Sequence, residues 1–94
     1  MENIILHVYY TGEEEKLRAF VREMQLSGLQ QGVKEEDGCG QYDYFFPAAG
    51  GGVLLLENWR DEAALQAHLA RPRMAEIRAL KEKLGLATRM ERYE

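Results

Sequence analysis

From Ile4 to Tyr10 the chain reads Ile-Ile-Leu-His-Val-Tyr-Tyr. This run of β-branched and aromatic residues predicts a strand. Alternation puts Ile5, His7 and Tyr9 on one face and Ile4, Leu6, Val8 and Tyr10 on the other. Both faces are largely apolar, so the strand is expected to be central in its sheet or covered on both sides. Thr11-Gly12-Glu13-Glu14 fits a capping box, and Glu13, Glu14 and Glu15 suit the positive end of a helix dipole. Leu17, Phe20, Val21, Met24 and Gly28 then recur at helical spacing as one stripe. Leu26, Leu29 and Val33 fall off it, which predicts a second contact or a bend near Gly28 and Gly32.

Glu35-Glu36-Asp37-Gly38 reads as a polar turn. The run 41–46 is a second strand, with Tyr42, Tyr44 and Phe46 on one face and Pro47 stopping it. A third strand covers 53–59, joined to the second through the flexible Gly50-Gly51-Gly52 loop as an antiparallel hairpin. Asp61 is a good N-cap for a helix to about Ala70, with Leu65, His68 and Leu69 on one face. Pro72 suits the first turn of a continuing helix, whose stripe is Met74, Ile77, Leu80 and Leu84, and Gly85 suits its C-cap. Residues 86–93 close the chain as a fourth strand. The order β-α-β-β-α-β predicts an α+β, ferredoxin-like fold with helices on one sheet face. The other face carries aromatic and aliphatic residues and calls for a partner, a second copy of the chain.

Ninety-four residues fit a single domain spanning 1–94. The net charge of −4 and the scattered lysines and arginines argue against a nucleic-acid partner. No stretch approaches membrane-spanning length, and the opening apolar run is too short and too acidic in its flank for a signal peptide. The lone Cys39 cannot form an internal disulfide, which fits a cytoplasmic protein, and its place at a turn suggests a structural role. Two histidines and one cysteine without ligand spacing point to no metal site.

The stretch most suggestive of chemistry is ENWRDEAALQAH, 57–68. Glu57 and Trp59 share a strand face, and His68 lies about two turns into the following helix on the face of Leu65. If that strand face is the helix-covered one, Trp59 and His68 line a common space. His68 is then a candidate acid, base or hydrogen-bond donor, and Trp59 a wall for an aromatic ring. His7 is a candidate second polar contact. Tyr9 and Tyr44 are candidate donors to a substrate oxygen, and Phe20, Met24 and Leu65 candidate pocket walls. Glu57, set among leucines, suggests a buried ion pair with an arginine such as Arg89, or a group that tunes His68.

This same stretch resembles the signature of the antibiotic biosynthesis monooxygenase family: an apolar strand ending Glu-x-Trp, then Asp/Ser-x-Glu-Ala-Leu, then a helix histidine. Glu36-Asp37-Gly38-Cys39 followed by Tyr42 resembles that family's turn into its second strand. The opening HVYYTG, the strand YDYFFP and the ending MERY resemble its quinol monooxygenase subgroup. The resemblance implies a dimeric α+β barrel with its sheets packed face to face and one pocket per subunit. It also implies oxygenation of an electron-rich aromatic molecule by dioxygen with no cofactor, whether metal, flavin or haem.

Such chemistry is physically sound. Dioxygen takes electrons one at a time, and a phenolate yields them more readily than a phenol. A histidine of pKa about 6.5 facing a phenol of about 10 meets a cost of roughly 5 kcal/mol, which donors in a dry site can offset. Haem binding or degradation is an alternative within the family, although His7 stands where such relatives place an asparagine. A non-catalytic small-ligand binder is another. An isomerase of a phosphorylated sugar derivative fits poorly with so few basic residues near the expected pocket.

Overall fold

The computed structural model describes residues 3–94. Strand β1 (Ile4–Thr11) is followed by helices α1 (Glu14–Leu26) and α2 (Leu29–Lys34), then strands β2 (Cys39–Phe45) and β3 (Val53–Trp59). Helices α3 (Glu62–Leu69) and α4 (Pro72–Lys83) and strand β4 (Ala87–Tyr93) complete the order. The sheet runs β2-β3-β1-β4, every neighbouring pair antiparallel. This is the ferredoxin-like arrangement, with the first and third strands at the centre, as the apolar composition of both faces of β1 predicts.

The helices lie on one face. Ile4, Leu6, Val8 and Tyr10 of β1 and Val53, Leu55, Glu57 and Trp59 of β3 point into them and are buried. Leu17, Phe20, Val21 and Met24 of α1 meet that layer, with Val33 of α2, Ala64 and Leu65 of α3 and Ile77 of α4. Among the described residues, no layer covers the opposite face. Ile5, Phe45 and Tyr93 are exposed there, and His7, Tyr9, Leu54 and Leu56 are half-buried.

Several local expectations are corrected. Thr11 does not cap α1: it still pairs with Ala87 in the sheet, and the helix begins after an extended Glu13 with no side-chain cap. Gly28 does not continue the α1 stripe; its left-handed backbone (φ 84°) ends one helix and starts the next. The bend swings Val33 into the core and leaves Leu26 in solvent. Leu69 departs from the buried face of α3 and is exposed. Phe46 lies just past β2, where the Arg18 guanidinium covers its ring. Asp61 does cap α3, its Oδ1 accepting from the Ala64 backbone N–H at 2.9 Å.

Candidate active site

The junction from β3 to α3 sets the site. Trp59 is the last residue of β3 and is fully buried. The Asp61 cap starts α3 two residues later, and His68, in the last turn of that helix, points back over the strand. The imidazole lies on the indole, ring centroids 4.5 Å apart and planes 27° from parallel. His68 is 1% exposed. The edge of the Tyr42 ring stands 6.0 Å from it, centroid to centroid.

A carboxylate meets the imidazole from the other side. His68 Nδ1 is 2.9 Å from Oε1 of Glu36, which sits in the turn before β2. Three contacts bring that turn to α3. The Arg60 backbone N–H donates to the Gly38 carbonyl at 2.8 Å, and the Arg60 guanidinium grips Asp37. Gly38 supplies the third contact: its φ is 88°, and a Cβ there would stand 2.4 Å from Cβ of Ala64. No other residue type lets the turn come so close.

Glu36 also meets two cations. Arg73 Nη1 donates to its Oε2 at 2.5 Å, and Arg71 Nε lies 3.2 Å from its Oε1. The Arg71 contact is close enough for an ion pair but out of line for a hydrogen bond. Buried charge is tolerated here because the carboxylate is matched on every side. Burial is the largest influence on His68 and pulls its pKa below the ordinary value; Glu36 opposes this, and Arg73 and Arg71 reinforce it.

On the far side of Trp59, its indole N–H donates to Glu57 Oε1 at 2.9 Å. Burial pushes the Glu57 carboxyl up to about 7, against that hydrogen bond and the charge of Lys81. The expected ion pair with Arg89 does not form. Strand register keeps them apart: Glu57 lies opposite Leu6 on the covered face, whereas Arg89 lies opposite Tyr9 and projects from the open face, where it pairs with Glu91 and covers the Tyr9 ring.

His68, Trp59, Glu57, Tyr44, Phe20, Met24 and Leu65 therefore belong to the helix-covered side. His7 and Tyr9 do not reach them. Both project from the open face, where the His7 ring packs 4.8 Å from that of Tyr93 and the Tyr9 hydroxyl donates to Glu91. The expected space between Trp59 and His68 is taken up by the rings themselves, which touch. A hollow of about 310 Å³ lies elsewhere, at the end of the sheet beside the glycine loop, lined by Tyr9, Tyr10, Pro47, Val53 and Arg89 among others. Sequence reasoning missed Glu36 as a site residue by reading it as part of a polar turn. Its place in the Glu-x-Gly-Cys pattern was the available signal.

The antibiotic biosynthesis monooxygenase family model matches residues 3–80, which include the whole constellation. The chain belongs to this family. Putative monooxygenase YcnE of Bacillus subtilis (strain 168) is 36% identical over 66 residues, 69% of this chain and 67% of that protein. Putative monooxygenase Rv0793 of Mycobacterium tuberculosis is 39% identical over 47 residues, 50% of this chain and 46% of that one. Its solved structure superposes with a TM-score of 0.73 at 24% identity, covering 96% and 93% of the two chains. A solved structure from Deinococcus radiodurans superposes with a TM-score of 0.83 at 26% identity, covering 97% and 90%. Among the described residues, no helix is long and apolar enough to cross a membrane, and no cluster of three His, Cys, Asp or Glu side chains is placed to hold a metal ion.

Proposed function

We propose that this protein is a cytoplasmic monooxygenase that oxidises a quinol or other electron-rich aromatic small molecule with dioxygen, without metal, flavin or haem. The observation that carries this reading is the contact of a buried imidazole with a buried indole, backed by a carboxylate. His68 is neutral near pH 7 because burial disfavours its cation, so it is able to take the phenol proton. The resulting anion gives one electron to dioxygen, and the radicals combine at carbon. Loss of water leaves one oxygen atom on the substrate as a carbonyl and carries off the other with two hydrogens. Trp59 supplies a flat apolar wall for the substrate ring. The rings are in contact here, so substrate entry requires the layer around them to part.

The working unit is a homodimer. Ile5, His7, Tyr9, Leu54, Leu56 and Tyr93 form a broad apolar and aromatic face on the uncovered side of the sheet, and a second copy would cover it. In this assembly His7 and Tyr9 belong to the dimer seam. Haem ligation is less well supported, because His68 is 1% exposed and the layer over it would have to open for a whole macrocycle rather than a single aromatic ring.

Oxygen uptake by purified, metal-free protein with a panel of quinols tests the reading. Uptake that is lost in His68→Ala is expected. Absence of uptake with every quinol would remove the activity, and full uptake by His68→Ala would remove the residue.

A further inference from the structure

We propose that Glu36, clamped by Arg73 and Arg71, is the positioning residue for His68, holding the proton on Nδ1 so that Nε2 keeps the lone pair that accepts the substrate proton. The inference rests on His68 being the base of the proposed reaction, and it concerns residues that chemistry near Trp59 and His68 alone would not single out.

The geometry assigns the proton. A carboxylate held between two guanidinium groups is ionised and only accepts hydrogen bonds. Its Oε1 lies 2.9 Å from His68 Nδ1, so Nδ1 is the donor. A neutral imidazole carries one N–H, and Nε2 is then the acceptor. The same contact fixes which way the ring faces on Trp59, since a 180° flip about Cβ–Cγ would keep the stack but turn the Cδ2 carbon, in place of Nδ1, toward the carboxylate.

The arginines have a separate task. An unmatched buried carboxylate beside His68 would hold the imidazole as its cation and spoil it as a base. Arg73 and Arg71 compensate that charge from the start of α4. Arg73 reaches Glu36 by crossing Gly32 of α2, where a Cβ would stand 3.1 Å from Arg73 Nε. Tyr42 and Trp59 face the imidazole from the sheet and stay neutral near pH 7, leaving Glu36, Arg71 and Arg73 as the charges beside it. The clamp thus draws on three separate places in the chain: the turn after α2, the end of α3 and the start of α4.

Long-range ¹H–¹⁵N correlation spectra of the labelled protein, with His7→Gln to assign the two histidines, test this without substrate. The expected neutral form of His68 carries its proton on Nδ1; a predominant Nε2–H form would overturn the proposal. Glu36→Gln should shift the His68 titration midpoint down, because the imidazolium loses the carboxylate that stabilises it and the two arginines are left uncompensated. Arg73→Gln should shift it up, because Glu36 loses a cation. Midpoints that stay put, or move the same way, would also overturn it, since a merely structural contact has no reason to give opposite signs. If Glu36→Gln does not fold, the tautomer and the Arg73→Gln midpoint decide. No turnover enters this measurement, so an enzyme inactive on quinols leaves the result intact, and a wrong tautomer leaves oxygen uptake to be judged by itself.

Discussion

Glu57 accepts a hydrogen bond from the Trp59 indole two residues along the same strand, and both side chains are buried. The pair sits at the edge of the candidate active site and makes stability depend on pH. The carboxyl titrates near 4.5 when unfolded and at about 7 when folded, so the native state binds its proton more tightly. That contribution is present below pH 4.5 and is lost as pH rises through 7, with a ceiling of about 3 kcal/mol. Glu57→Gln keeps the acceptor for the indole and removes the charge. Urea midpoints of this variant should exceed those of the unaltered protein at pH 8 and converge with them near pH 4.5.

The His68 pKa lies below its ordinary value because burial disfavours the cation. If its neutral form is the base, kcat/KM for a quinol should rise with pH through a midpoint below 6.5 and then level off. A profile that keeps rising to pH 8 would assign the proton transfer to another group.

The approach of Gly38 to Ala64 leaves no room for a methyl group. Gly38→Ala should cost roughly 2 kcal/mol or more, from the left-handed backbone and the collision together. Adding Ala64→Gly should relieve the collision but not the backbone strain. A double-mutant cycle by urea unfolding should therefore show favourable coupling between the two substitutions.

Leu56 lies at the centre of the uncovered sheet face, opposite His7 on β1. Leu56→Arg should leave the circular dichroism spectrum unchanged and convert a dimer to a monomer in sedimentation velocity. A monomeric unaltered protein would remove the proposed seam.

Burial drives the Cys39 thiol up to about 11. Its alkylation by iodoacetamide at pH 8 should be slower than that of a free thiol by roughly two orders of magnitude, because so little thiolate is present. Unfolding in urea should restore the rate.

The alternation of apolar residues in β1 and β3, the α1 stripe and the Asp61 cap were legible because each depends on neighbours within one or two turns. Trp59 and His68 shared a space only on the condition that the helices cover the Trp59 face of β3, a condition that packing met. The missing Thr11 cap was not legible, since pairing with Ala87, 76 positions away, keeps Thr11 in the sheet. The burial of Glu36 was equally hidden. In isolation Glu-Glu-Asp-Gly is a turn for solvent, and only the arrival of α3 and α4 supplies the imidazole and guanidinium groups that make burial tolerable.

Residue order alone was enough for the succession of elements, for the split of each strand into two faces and for the helix face that carries His68. These follow from backbone periodicity, which is local. Tertiary structure decided the company those residues keep: Glu36 and Arg73 join His68, while His7 and Tyr9 are separated from it by the thickness of the sheet. Charges meet through space rather than along the chain, and a face that periodicity defines acquires its neighbours only when distant segments pack.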